Sequence, residues 1–563
     1  MTDRYRDDLS ALLSLTLIWT GMWLLSGPSG DFPLNDDWVY ALSVRSILET
    51  GRFSLPSPAS ANVITQAYWG ALFCLPFGFS FMALRVSTFA LGAVGVLSVY
   101  LLLRELGATR RIAVVGALSL AVNPVYLELS VTFMTDVPFI SLFAASLWLY
   151  VRGVRRDSGV TIAAAFAVAL AAMLVRQFAL ALPVAYGVAN ILRNGMRPRV
   201  WIAAAFPVVI GLLIHLGYEH WLIATGRATV IPAPLEGLIP RTSLDFFLII
   251  LSTALELFPY FGLFVAPILL FSPIRSLSSI DDRRPGSGFV RVCVIGSVLF
   301  LSASLTGHIV PAFGNILIPT GLGPLTLRDL YVLNVNKPEV PALTRALWVL
   351  ATAAGTLASL ILGGEFMSQI SRLITVRKNS IKRHKMWPQA TMIVLICVYI
   401  AGILLLATIA SVFDRYLIPL IIPAAAFLAV QYRFAPLSAT ALPLWRTISG
   451  YTLIAVYALF AVAGTHDYLA WNRTRWQATT TLIKAGISPH AIDGGYEFNG
   501  WYLNDPTYRA KQGETYWSGD GDDYVIAAGL LDGYQQVARL SFSRWLGMGP
   551  DFVLVLRRTI PAR

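Results

Sequence analysis

Charge is what this chain has least of. Only 13% of its 563 residues are Asp, Glu, Lys or Arg, about half the roughly 25% usual in soluble domains. Cysteine is nearly missing as well: Cys74, Cys293 and Cys397 are all there is. Cys293 and Cys397 lie in apolar runs, which argues against a disulfide framework or a thiolate metal site. No Gly-rich phosphate loop, Walker motif or Cys/His zinc spacing occurs, so no metal and no cofactor are expected. What the chain does have is apolar length. Hydrophobic residues make up 56% of it, and mean hydropathy is +0.65. Apolar stretches of about 20 residues, enough to cross a hydrocarbon core, recur along most of the sequence. The fold class implied is an α-helical polytopic membrane protein. The net charge of +12 then reflects topology and membrane lipids, not nucleic acid, because Arg and Lys fall mainly between apolar runs.

The apolar pattern predicts spans near 9–26, 83–103, 112–128, 136–152, 160–178, 180–192, 201–222, 246–271, 289–307, 343–363, 390–411, 416–431 and 447–464, about thirteen helices. A re-entrant hairpin near 308–325 is an alternative element. The first run, Leu9 to Ser26, lacks the basic start and small-residue cleavage site of a secretory signal and reads as an uncleaved helix. Arg104, Arg110, Arg111, Arg152, Arg155, Arg156, Arg193, Arg197 and Arg199 fall in one set of loops. Arg275, Arg283, Arg284, Arg291 and the run Arg372 to Lys385 continue the set. The positive-inside rule puts these loops in the cytoplasm, and the opposite loops and the C-terminal segment outside. A bacterial inner membrane is the expected location.

Two outer segments are more than connectors. Loop 27–82 holds an expected surface helix from Asp37 to Glu49 and a Pro/Ser-rich stretch, Ser54 to Ser60. From about Thr465 the chain turns rich in Gly, Asp, Trp and Tyr. Turn signals at Asp493-Gly-Gly and Ser518-Gly-Asp-Gly-Asp alternate with strand-like runs such as Tyr524-Val-Ile-Ala-Ala and Phe552-Val-Leu-Val-Leu. The expected division is a transmembrane domain over 1–464 and a small extracytoplasmic α/β domain over 465–563.

An ionisable group at membrane depth costs about 2.5–3.5 kcal/mol on insertion scales, so each one needs a reason. Asp36 and Asp37 follow the first span in the run Asp31-Phe-Pro-Leu-Asn-Asp-Asp-Trp-Val-Tyr-Ala41. One carboxylate could take a proton while its neighbour orients it. Asn35-Asp36-Asp37 is equally a good N-cap for the helix that follows. Asp136, in Thr132-Phe-Met-Thr-Asp-Val-Pro138, is a site residue or the cap of the fourth span. Arg176 lies with Gln177 inside the apolar run Ala163 to Leu182, where a phosphate or a structural carboxylate would satisfy it. Asp414-Arg415-Tyr416 precedes the twelfth span; Arg415 could hold a phosphate or serve as an interface anchor paired with Asp414. His215, Glu219 and His220 read as a polar helix end. Asn472-Arg-Thr474 is a formal glycosylation sequon.

The order of these pieces resembles the membrane glycosyltransferases of the C-type fold. Within them it resembles family 39, which holds the protein O-mannosyltransferases and the lipid A aminoarabinose transferases. That family carries Asp-Glu-x-x-Tyr-Ala in its first outer loop, and Asp36-Asp37-Trp-Val-Tyr40-Ala41 is similar, with Asp37 in place of Glu. Arg45 falls where many members have an Arg in the same helix. Asp136 matches the second acidic position. Arg415-Tyr416-Leu417-Ile-Pro419 matches an Arg-Tyr-Leu-x-Pro segment, and Arg85-Val-Ser-Thr88 is similar to an Arg-x-x-Ser run. A Lys/His-Pro-Pro-Leu-x-Tyr-Trp stretch is reduced here to the aromatic end of Ile64-Thr-Gln-Ala-Tyr-Trp69. The resemblance covers roughly residues 10–430 and leaves the C-terminal segment out.

The resemblance implies transfer of a sugar from a polyprenyl-phosphate-linked donor to a hydroxyl or amine of a lipid, glycan or protein acceptor. Asp36 would be the general base, Asp136 would orient it or the acceptor, and Asp37 would support. Arg45, Arg176 and Arg415 would hold the donor phosphate, and Tyr40, Trp69 and Tyr416 would line the substrate. A transporter or lipid flippase would use the same charges as a pathway, but no inverted repeat is visible and the polar residues gather on one side. A scaffold whose outer domain binds a partner is the third class.

Overall fold

The computed structural model describes residues 2–56, 59, 61–228, 242–273, a few positions between 295 and 312, and then 314–376, 386–433, 442–503 and 523–559. The membrane part is a sequence of helices: α1 (Thr2–Leu25), α2 (Asp37–Thr50), α3 (Ile64–Cys74), α4 (Phe81–Glu105), α5 (Arg110–Ala121), α6 (Pro124–Ser130), α7 (Asp136–Arg156), α8 (Gly159–Met173), α9 (Ala181–Asn194), α10 (Pro198–Ala224) and α11 (Ser243–Leu270). A two-residue hairpin follows, β1 (Leu317–Ile318) and β2 (Gly321–Leu322), then α12 (Arg328–Tyr331), α13 (Ala342–Val376), α14 (Trp387–Leu406), α15 (Ile421–Arg433) and α16 (Leu444–Lys484). The chain closes with β3 (Ile492–Asp493), α17 (Tyr496–Leu503), β4 (Tyr524–Ala527), β5 (Tyr534–Ser541) and β6 (Phe552–Arg558).

Among the described residues nine helices are long and apolar enough to cross a membrane, or ten if the bent pair α5–α6 is one span. Every expected span except 289–307, which lies almost wholly outside the described residues, falls on a helix. Helices α8 and α9 are among those too short to cross alone. With 15 residues in α8 and 14 in α9, they reach about 21–23 Å at 1.5 Å per residue, against a hydrocarbon core of about 30 Å. The α5–α6 bend of 63° has a local cause. Pro124 lacks an N–H, and the Asn123 side chain accepts from Val125 and Tyr126 to start a fresh helix. The re-entrant hairpin expected near 308–325 is, over residues 314–325, the β1–β2 hairpin and its flanks, with Leu317 paired to Leu322.

Side-chain contacts sort the loops into two ends. At one end Arg104 pairs with Asp8 at 2.8 Å, and Arg152 and Arg155 face Glu105 at 3.8 and 3.5 Å. Arg111 reaches Thr447 and Tyr451, and Arg446 donates to the carbonyls of Leu269 and Ser272. The opposite end gathers the loop after α1, the turn before α7, the hairpin loop and the C-terminal strands. The strands form one sheet in the order β3-β4-β6-β5, with β3 parallel to β4 and the other pairs antiparallel. The turn signal at Ser518 to Asp522 lies outside the described residues. No break occurs at 465, because α16 runs unbroken from Leu444 to Lys484. One apolar cluster joins Trp23 of α1 and Phe32 and Leu34 of the first loop to Leu469, Phe498, Ile526 and Val553. The sheet is therefore packed onto the bundle end and not tethered to it.

Candidate active site

The two adjacent aspartates part company. Asn35 adopts a left-handed backbone, φ 53°, which Asn tolerates better than most residues, and α2 begins directly after it. Asp37 is 0% exposed. Its carboxylate accepts from the amides of Leu34 at 3.2 Å and Phe133 at 2.7 Å, joining the first loop to the turn before α7. Burial pushes the Asp37 carboxyl well above the usual carboxylate range, and Arg85 and the two amides only partly oppose that. Asp36 occupies the N-cap of α2 but makes no side-chain capping bond. Its side chain is 27% exposed and lines a cavity. The first turns of α2 are buried, so the helix expected at the surface is an inner wall of the site.

The cavity encloses about 950 Å³, at the large end for a small-molecule site. Asp36, Tyr40, Arg176, Asn315, Arg415, Tyr416 and Tyr496 form its polar part, and Phe178, Leu180, Val398, Leu405, Leu406 and Ile409 form an apolar arm. That arm follows α14 from Val398 to Leu406, about 12 Å of helix at 1.5 Å per residue.

Each charged group is delivered by a break in regular structure. Helix α8 stops at Met173, and Arg176 is extended (φ −144°, ψ 136°) before a 3-10 turn over Gln177–Leu180. Non-helical backbone at this depth is tolerated where it lines a cavity, and Gln177, Phe178 and Leu180 do so. Thr135, together with Asp136, which the sequence offers as a helix cap, serves Arg176. Its Nε donates to Thr135 Oγ1 at 2.7 Å, and its two terminal nitrogens lie 3.2 Å from the two Asp136 oxygens. Asp136 is 2% exposed and is not part of the cavity lining. Arg415 Nε stands 3.9 Å from Asp136 and Nη2 stands 3.8 Å from Asp36. Both are longer than hydrogen bonds. Nη1 donates to Asn315 Oδ1 at 3.0 Å, and Nε has no hydrogen-bond partner among the described residues. Both guanidinium groups lie over the Tyr416 ring, at 5.0 and 5.7 Å. The anchor pairing of Arg415 with Asp414 does not form. The Asp414 carboxylate instead accepts from the amides of Ile316, Leu317 and Arg415, which fixes the loop that carries Asn315.

Asp36, Asp136, Arg176, Arg415, Tyr40 and Tyr416 thus come together. Arg45 and Trp69 do not join them. The Arg45 guanidinium pairs with the exposed Glu49 one helical turn on, at 2.7 Å. Trp69 donates to the Ser87 carbonyl and packs on Phe73. His215 faces Glu219 at 3.4 Å. Asn472 of the sequon is buried within α16 and donates to the Tyr468 carbonyl. Sequence reading passed over Asn315, which orients Arg415, and Tyr496, whose hydroxyl donates to Asp36 Oδ1 at 2.9 Å. Asn315 sits among apolar residues but is uncharged, and Tyr496 sits in a polar, turn-rich stretch, so neither carries the anomaly that marks Arg176. No cluster of three or more metal-ligating side chains occurs among the described residues.

Residues 64–219 match the family described as dolichyl-phosphate-mannose-protein mannosyltransferase. The matched stretch includes Asp136 and Arg176 and leaves out Asp36 and Arg415. No curated protein matches the chain. Among solved structures, an Archaeoglobus fulgidus oligosaccharyltransferase tethered to an acceptor peptide is similar at 14% identity, covering 82% of this chain and 55% of that one, TM-score 0.42. The oligosaccharyltransferase AglB of the same organism, in complex with an inhibitory peptide and a dolichol-phosphate, is similar at 17% identity, over 88% and 59%, TM-score 0.43. ArnT from Cupriavidus metallidurans in the apo state is similar at 13% identity, over 97% of each chain, TM-score 0.41. The chain spans under two thirds of the length of the two archaeal structures.

Proposed function

We propose that this chain is a membrane glycosyltransferase that moves a sugar from a polyprenyl-phosphate-linked donor to an acceptor hydroxyl or amine. The observation that carries the reading is one cavity holding a partly exposed carboxylate, two buried arginines and an apolar arm. Those are the three chemistries that a lipid-phosphate sugar donor and a nucleophile require together. The family match over residues 64–219 supports the same class.

In this reading the lipid tail lies along α14 in the apolar arm. The donor phosphate meets Arg415, whose hydrogen-bonding capacity is incomplete, and Arg176. Asp136 holds both guanidinium groups in place from beneath without touching substrate. Asp36 takes the proton from the acceptor O–H or N–H. The freed electron pair attacks the anomeric carbon, the bond from that carbon to the phosphate oxygen breaks, and the pair leaves on the phosphate, inverting the anomeric centre. Charge grows on the phosphate as that bond breaks, which is where fixed cations lower the barrier most. Tyr40 and Tyr416 line the sugar's side. Arg45 and Trp69, which lie away from the cavity, have no part in this step. The basic loops gather at the end opposite Asp36, which supports an inner-membrane orientation with the site on the extracytoplasmic side.

The test is a comparison of wild type with Asp36→Asn at matched membrane levels, by mass spectrometry of envelope lipids, polymers and glycoproteins. A sugar-sized mass increment made by wild type and reduced about 100- to 10,000-fold in the variant is the expected result. Equal products from both proteins would remove Asp36 from the chemistry. A lipid or solute moved without any covalent product would return the cavity to transport.

A further inference from the structure

We propose that Tyr496, carried by the C-terminal segment, is a positioning residue for the Asp36 carboxylate, so that the catalytic site is complete only with that segment docked. The inference rests on Asp36 being the base. The hydrogen bond from the Tyr496 hydroxyl to Asp36 Oδ1, 2.9 Å long, joins positions 460 residues apart in sequence. A bond of that kind means little on a mobile element, but here both partners are fixed from several directions.

The turn that aims Tyr496 begins at Gly494-Gly495. Gly495 has φ +87°, and a Cβ there would meet the Thr326 carbonyl, so this turn needs glycine. The Tyr496 amide donates to the same carbonyl at 3.0 Å. Next in line, Glu497 is fully buried. One of its oxygens accepts from the Asn35 amide at 2.9 Å, and the other accepts from Thr326 Oγ1 at 2.6 Å and Arg475 Nη1 at 2.8 Å. Asn35 is the left-handed residue that sets up Asp36. One turn further, a side chain at Gly500 would collide with the Trp38 ring, and that contact seats α17 directly on α2. The Tyr496 ring meets Trp38 edge to face at 5.8 Å. Residues 496–500 thus hold both the base and the backbone turn that presents it.

The hydroxyl supplies direction. Tyr496 holds Oδ1 by a hydrogen bond, and Arg415 faces Oδ2 only at 3.8 Å, beyond hydrogen-bond length, so the hydroxyl is the closer constraint on the rotamer. A bond to a charged carboxylate is worth roughly ten- to a hundredfold in an equilibrium, and loss of alignment at a base is read in turnover before affinity.

Tyr496→Phe in the full chain removes the hydroxyl and keeps the ring contact with Trp38. At matched membrane levels the wild-type-specific envelope product is expected to form roughly tenfold more slowly. Undecaprenyl phosphate is expected to raise the melting temperature of the purified protein, and by the same amount in Tyr496→Phe as in wild type, because the arginines are untouched. Asp36→Ala, run beside it, separates the two claims. If Asp36→Ala loses product formation and Tyr496→Phe keeps the full rate, this inference is overturned and the functional reading stands. If Asp36→Ala keeps the full rate, both fall. A Tyr496→Phe protein that melts well below wild type, or responds less to the lipid phosphate, assigns the hydroxyl to folding and also overturns it.

Discussion

Two groups of buried charges lie at the same end of the molecule, and they are built differently. Arg475, Glu497 and Thr326 form a closed knot. Contacts of 2.6 to 2.8 Å connect them, both charged side chains are at most 1% exposed, and the Arg475 guanidinium lies over the Trp471 ring. Asp36, Asp136, Arg176 and Arg415 form an open one. Its ionic distances run from 3.2 to 3.9 Å, and one side faces the cavity. Burying charge is costly in both. In the closed group the two charges meet directly at 2.8 Å, although Arg475 Nε and Nη2 have no hydrogen-bond partner among the described residues. In the open group Arg415 stays 3.8 and 3.9 Å from its carboxylates beside a cavity, and that looseness where a ligand can enter is the sign. Buried charge alone therefore does not mark a site; buried charge left loose beside a cavity does.

Substitutions test that contrast from both sides. The largest change is expected from Asp36→Asn, which should reduce product formation by two to four orders of magnitude with the melting temperature of the purified protein unchanged. Arg475→Met should do the reverse. Glu497 would be left buried without its cation, at about 3–5 kcal/mol of stability, read as a fall in melting temperature and membrane level that outweighs any fall in activity per folded molecule. An unchanged melting temperature would show that the closed group holds nothing. Arg415→Gln should cost roughly 10- to 100-fold in product formation and abolish most of the stabilisation by undecaprenyl phosphate, with little effect on the protein without lipid. If it destabilises the lipid-free protein as much as Arg475→Met, the two groups are alike and the contrast fails. Arg45→Ala breaks an exposed pair with Glu49 and a contact with the Trp501 ring at 5.9 Å, and should move stability by about 1 kcal/mol or less and product formation by less than twofold. A large loss there would extend the site beyond the cavity.

Sequence exposed Asp36, Asp136, Arg176 and Arg415 because each is a charge beside or inside an apolar run, where the anomaly itself is informative. The residues by themselves left Asp36 and Asp37 unseparated, and only the family resemblance implied Asp36 as base and Asp37 as support. One peptide unit divides them, and which of the two faces the cavity depends on the backbone of Asn35 and on amides about a hundred positions away. Sequence reading left Arg415 open between a phosphate and a pairing with Asp414, which neighbours in sequence invite, whereas the Asp414 carboxylate is claimed by the Ile316 and Leu317 amides. Arg45 was assigned by motif position, and helix phase turned it outward to Glu49. Span positions were legible from hydropathy. The break at Leu174 to Arg176 was not, since an apolar run reads the same whether its backbone is helical or extended. Tyr496 was out of reach, because a tyrosine in a polar, turn-rich segment carries no signal of its own.

Helix α16 has 41 residues, about 60 Å at 1.5 Å per residue, twice the thickness of the hydrocarbon core. It is a strut rooted at the basic end, where Arg446 grips the close of α11, and it carries Arg475 at its far end. A fragment begun at residue 465 would start in the middle of a rod, with the apolar faces of Tyr468, Leu469 and Ala478 stripped of their packing. The outer segment is thus joined to the bundle by one continuous rod, whose far end sets Arg475 against Glu497 beside the turn that holds Asp36.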